Sequence, residues 1–124
     1  MQDFTEAVEH LINSLAKEMN DPNLSFDEED LCTLYFNNKF LCIIEKDTEN
    51  SELICTLPLS ELPIENREEV MYILLSSNFY WAETLGGTFS IDSESNQIVL
   101  AYKVTGNLLV PENFRELLKK MLAV

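Results

Sequence analysis

The hydrophobic positions change period along the chain, and each change marks an element. Phe4, Val8, Leu11, Ile12, Leu15 and Met19 recur at three to four residues, the spacing that lines one face of an α-helix. Asp3, followed three residues later by Glu6, reads as a capping box that satisfies N–H groups the first turn leaves unpaired. Asn20-Asp21-Pro22 ends this helix, because proline disfavours helical backbone in the residue before it. Beyond an acidic loop the period drops to two. LCTLYF (31–36) and FLCIIE (40–45) read as strands joined by a turn at Asn37-Asn38-Lys39. LICTLPL (53–59) is a third strand, with Pro58 suited to a strand end or edge because it has no N–H to donate.

A second helix is predicted from Asn66 as N-cap, with Glu69 at the capping-box position. Its interior, VMYILL, is apolar almost all round. Val70, Ile73, Leu74, Ser77 and Trp81 fall on one side, and Tyr72, Leu75 and Phe79 on another. A helix apolar on two sides needs two covers. The sheet of the same chain is one, and a second subunit is the candidate for the other. TFSID (88–92) and QIVLAYKV (97–104) are two more strands around the polar turn Ser93-Glu94-Ser95-Asn96. The last helix opens with Pro111 at its first position and carries the stripe Phe114, Leu117, Leu118, Met121 and Leu122. The order α-β-β-β-α-β-β-α predicts an α+β fold: a twisted, mainly antiparallel sheet with three helices, in one domain over residues 1–124.

Composition narrows the function. A chain of 124 residues with three glycines and four prolines buries one core and leaves no room for long flexible linkers. Its net charge is −14, and residues 1–66 hold 15 acids against 3 bases. Such a field opposes binding to nucleic acid phosphates or anionic lipid. It serves solubility, or steers a basic protein partner. Cys32, Cys42 and Cys55 are odd in number, lack CxxC spacing and sit inside apolar runs, so they read as small buried hydrophobes in a reducing compartment. The N-terminal stretch has no secretory-signal pattern, and no apolar run reaches the roughly 18 residues of a membrane span. The expected location is the cytoplasm.

No pattern points to catalysis, a metal or a cofactor. His10 is the single histidine and lies opposite the apolar stripe of its helix, away from the three strand cysteines. Asp27-Glu28-Glu29-Asp30 reads as a solvated loop. DSESNQI (92–98) spaces oxygen side chains as a calcium loop does, but Gln97 stands where the sharp turn needs glycine and Lys103 where a bidentate glutamate closes the site. Gly86-Gly87 precedes a strand, the wrong order for a phosphate-cradling loop, and reads as a backbone bend.

What remains is surface. Period-two alternation groups Leu31 and Tyr35 with Thr33, Leu41 and Ile43 with Lys39 and Glu45, and Ile54 with Glu52 and Thr56. These sets describe a sheet face apolar in its middle and polar at its margins, with Cys42, Ile44, Cys55 and Leu57 turned toward the helices. An apolar patch of this kind is a binding face, or is covered by a helix or a subunit. An acidic inhibitor or nucleic-acid mimic that blocks a basic site on its partner is the competing reading of the charge.

The element order, LLSSN near the end of the second helix, and TLGGTFSIDSESNQIVLAYKV together resemble the class I effector chaperones of bacterial type III secretion, the Tir-chaperone-like family. The shared pattern falls at Leu74, Leu75, Asn78, Gly86, Gly87, Phe89, Ile91, Asp92, Val99 and Leu100, with Phe89 at a place often held by leucine. The resemblance implies a homodimer in the bacterial cytoplasm, without cofactor, nucleotide binding or ATPase activity. It implies that the dimer holds the N-terminal region of a secreted effector extended and soluble, and delivers it to the secretion ATPase or export apparatus. On this reading Leu31, Tyr35, Leu41, Ile43 and Ile54 are expected to meet the effector, and Tyr72, Leu75 and Phe79 to form the dimer interface.

Overall fold

The period-two segments build a single five-stranded antiparallel sheet. A computed structural model describes residues 3–36 and 40–123 of the chain. Its strands are β1 (Leu31–Phe36), β2 (Phe40–Asp47), β3 (Glu52–Glu61), β4 (Thr88–Asp92) and β5 (Gln97–Val104), in the spatial order β1-β2-β3-β5-β4. The helices are α1 (Phe4–Glu18), α2 (Arg67–Ser77) and α3 (Pro111–Ala123), with short 3-10 turns at Phe79–Trp81 and Gly106–Leu109 that the sequence reading did not include. The predicted turn at Asn37-Asn38-Lys39 lies outside the described residues.

Alternation decides which face is buried. Cys32, Leu34, Cys42, Ile44, Leu53, Cys55, Leu57, Leu100, Tyr102 and Val104 point inward, where the stripes of α1 and α3 cover them. Val8, Leu11, Ile12 and Leu15 of α1 and Phe114, Leu117, Leu118 and Met121 of α3 are all buried in this core. Both helices open on predicted signals. The Asp3 side chain accepts from the Glu6 N–H at 2.8 Å, and Pro111 begins α3. Arg115 Nε lies 2.9 Å from Glu18 Oε1 and ties the two helices together at the surface.

Pro58 sits inside β3 rather than at its end. It lies past Thr56, the last β3 residue on the β2 side of the register, and at a register shift against β5 between Pro58 and Ser60. β3 has one neighbouring strand there, which is where a missing N–H is tolerated.

Asn66 departs from expectation. It holds the N-cap position of α2, but with φ +59° and without a side-chain capping bond. Without that bond the capping box expected with Glu69 is not formed. Asparagine is instead used here for its tolerance of positive φ.

Candidate functional site

The ladder register brings the five predicted contact residues onto one face of the sheet, opposite α1 and α3. Tyr35 pairs with Leu41, Thr33 with Ile43, and Leu31 with Glu45. Ile43 continues to Thr56, and Glu45 to Ile54. Ile54 continues to Lys103, whose Nζ lies 3.8 Å from Glu52 Oε1 at the margin. Leu31, Leu41, Ile43 and Ile54 are half-buried, while Tyr35 is 62% exposed. Toward β4 this face dips into a hollow of about 350 Å³ lined by Ile54, Gly86, Thr88, Ala101 and Lys103. Lys39, grouped with this face by alternation, lies outside the described residues.

β1 is one edge of the sheet. At Leu31 that edge is closed, since the Leu31 N–H donates to Asp27 Oδ1 at 3.0 Å and its carbonyl accepts from the Asp27 N–H at 2.8 Å. Asp27 thus has a structural use within the acidic loop. Two residues apart, Thr33 and Tyr35 turn the same way by the alternation of antiparallel hydrogen bonding, and their edge groups are not taken up by the loop. Beneath this edge Leu15, Met19, Phe36, Leu118 and Leu122 line a groove of about 230 Å³, rimmed by Glu18, Arg115 and Lys119. The stripes of α1 and α3 run from the core out to this edge. Their outer ends, Met19 and Leu122, are only half-buried and floor this groove.

The α2 end of the molecule is built differently. No residue of α2 is buried. Tyr72 is 74% exposed, Leu75 71% and Phe79 72%, and Tyr72, Leu75, Ser76 and Phe79 line one shallow hollow. Of the side predicted to face the chain's own sheet, Val70, Leu74 and Ser77 are half-buried, but Ile73 and Trp81 are exposed. Phe79 and Trp81 fall beyond α2, in the following 3-10 turn, where Tyr80 and Trp81 both have positive φ. That break ends the helical period on which the two-sided grouping relied. Bulky residues adopt such backbone at a cost, and here it leaves three consecutive aromatic rings in solvent.

What holds this end in place is the motif region. The Asn78 amide bonds both ways to Phe89: its Nδ2 donates to the Phe89 carbonyl at 3.0 Å, and its Oδ1 accepts from the Phe89 N–H at 2.7 Å. Trp81 Nε1 donates to Thr88 Oγ1 at 3.2 Å. Buried Thr84 donates its hydroxyl to the Gly87 carbonyl and accepts from the Tyr102 hydroxyl at 2.6 Å. A Cβ at Gly87 would lie 2.6 Å from the Tyr102 ring, so only glycine allows this approach. Gly86, at φ +101°, makes the bend. The Asn of the Leu-Leu-x-x-Asn signature therefore fastens the end of α2 to β4, and the Gly-Gly pair lets the chain between them pack against Tyr102.

Burial pushes the Cys32 thiol up to about 11, with Cys42, Asp21 and Asp27 adding to the effect. A bond to Cys42 and then burial raise Cys55 well above its ordinary value. Neutral, shielded thiols are poor nucleophiles. His10 lies on an exposed position of α1. Among the described residues, no group of three or more His, Cys, Asp or Glu side chains is placed to hold a metal, and no helix is long and apolar enough to cross a membrane.

Comparison with known proteins agrees with this architecture. No curated protein matches the chain. Similar solved structures include the ExsC–ExsE complex, with TM-score 0.82 and 22% identity, covering 98% of this chain and 90% of that one. The type III secretion chaperone SycH of Yersinia pestis, in complex with a fragment of YscM2, gives TM-score 0.71 and 13% identity over 94% of each chain. The heterodimeric ExoU–SpcU complex from the type III secretion system of Pseudomonas aeruginosa gives 0.69 and 14%, over 90% of this chain and 88% of that one. At these identities the likeness establishes the fold. The Tir chaperone protein (CesT) family model matches residues 10–124, and the chain therefore belongs to that chaperone family.

Proposed function

We propose that this protein is a cytoplasmic, homodimeric chaperone that binds the N-terminal region of a type III secreted effector in extended form. It keeps that segment soluble and hands it to the export apparatus, and it is not an enzyme. The observation that carries the reading is the outer sheet face. Leu31, Tyr35, Leu41, Ile43 and Ile54 share it, next to an edge strand whose Thr33 and Tyr35 are open to pairing. An extended segment gains backbone hydrogen bonds along such an edge and sets alternate side chains on apolar surface. A broad apolar track offsets the entropy lost on ordering the segment. Family membership and the chaperone complexes among similar structures support the same reading.

The dimer is proposed to form through Tyr72, Leu75 and Phe79. Their exposure supports this, because a single chain that leaves such rings bare presents a surface suited to a second copy.

The test is a pull-down from the source cell's lysate in about 0.5 M salt, where surface ion pairing is screened, followed by limited proteolysis of the captured partner. One partner protected over an N-terminal stretch supports the chaperone. A partner held only at low salt through a basic folded domain would replace it with the acidic inhibitor. Leu41→Glu with Ile43→Glu is expected to abolish capture while leaving the fold intact. Unfolding of that variant would reassign both residues to the core.

A further inference from the structure

The two edges of the sheet are finished in different ways. On β4, Phe89 turns its N–H and carbonyl away from β5, and the Asn78 amide meets both of them at 2.7 and 3.0 Å. One peptide-like group thus stands where the backbone of a neighbouring strand would stand. Two residues earlier, just before β4, Thr84 meets both groups of Gly87 with backbone and side chain together: the Gly87 N–H donates to the Thr84 carbonyl at 3.3 Å, and the Gly87 carbonyl accepts from the Thr84 hydroxyl at 2.5 Å. The alternation of antiparallel bonding gives Gly87, Phe89 and Ile91 as the residues facing outward on this edge. Two of these three are already occupied from within the chain, which leaves Ile91 alone, too little for a strand to pair with.

We propose that Asn78 and Thr84 are edge guards: the Asn78 side-chain amide, and the hydroxyl together with the backbone carbonyl of Thr84, substitute for a strand along β4, so that this edge does not accept a strand from another chain. An unguarded edge is a template for pairing with any extended segment. A chaperone handling extended apolar cargo meets such segments continually, and a guard on β4 leaves strand addition to Thr33 and Tyr35 on β1. A second copy then meets the α2 end through side chains, without merging the two sheets. The guard is attached to the C-terminal end of α2, where Asn78 is the C-cap, so the helix and the edge strand are held in one register. The purpose of the guard rests on the cargo reading, while its readouts need only this chain, so the two can fail separately.

The test is backbone hydrogen–deuterium exchange resolved by residue, joined to sedimentation at rising protein concentration. In Asn78→Ala the Phe89 amide is expected to exchange roughly tenfold faster, about what one net hydrogen bond confers, and assemblies larger than wild type are expected to appear. Asn78→Asp keeps the acceptor, so the Phe89 amide should stay slow. Wild-type exchange at Phe89 in the alanine variant would overturn the proposal, as would faster exchange without any new association. Should the alanine variant not fold, the wild-type protein decides the matter. Its Phe89 amide must exchange more slowly than that of Ile91 on the same edge, and equal rates would remove Asn78 as a guard.

Discussion

The half of the molecule around α1, α3 and β1–β3 and the end around α2 and β4 have similar shares of apolar residues, yet they place them in opposite ways. In the first, four residues of α1 and four of α3 close over the inward side of the sheet, with Leu11 and Phe114 fully out of solvent. In the second, no residue of α2 is fully buried, and Tyr72, Leu75, Phe79, Tyr80 and Trp81 all stand exposed. Side chains of the first half satisfy one another within the chain. Those of the second are held in position by polar fastenings, Asn78 to Phe89 and Trp81 to Thr88, while their apolar surface is left uncovered. Polar bonds thus order a surface that remains apolar and bare in the single chain. The sheet's outer face lies between the two extremes, with half-buried aliphatic residues beside an exposed tyrosine.

The contrast breaks most visibly by mutation in each region. Phe114→Ala opens a cavity at the centre of the core and is expected to cost about 3–5 kcal/mol, read as a lower denaturation midpoint. A loss below about 1 kcal/mol would mean that α3 packs loosely. Tyr72→Asp with Phe79→Asp should leave the circular dichroism near wild type and reduce the mass in solution to a single chain, because the new charges would be buried unpaired in a dimer. An unchanged mass would reject these residues as the interface.

The smallest effect concerns pH. The Cys32 thiol titrates near 9.0 when unfolded and is pushed up to about 11 in the fold. Its neutral form is the one the core accepts, so its contribution is fully present below the lower value and is lost as pH rises through the upper one. Stability should fall across that window. Native protein at about pH 8 should resist a thiol reagent that labels the unfolded chain at once. Rapid native labelling would show that this part of the core opens readily.

Much of this was legible along the chain. The stripes from Val8 to Leu15 and from Phe114 to Met121 gave α1, α3 and their buried sides, because a helical period names its own face. The alternation in LCTLYF and FLCIIE names the outer residues by itself, and antiparallel pairing sets Tyr35 beside Leu41. The helix around VMYILL was visible, but its surroundings were not. Equal apolarity on all sides carries no direction, so Ile73 and Trp81 were expected inward and are exposed. Asn66 was assigned a capping bond from residue type alone, while its left-handed backbone depends on how the chain enters α2 from the loop after β3.

Local periodicity thus determined the elements, their order and the inward face of most of them, since those follow from the geometry of a few adjacent residues. Only the tertiary structure decided that Asn78 reaches Phe89 eleven residues away, that Thr84 and Gly87 close around the Tyr102 ring, and that β1 and β4 form the two edges of the sheet. Hydrogen bonds between side chain and distant backbone have no period to betray them. They exist only where folding has already brought the partners together.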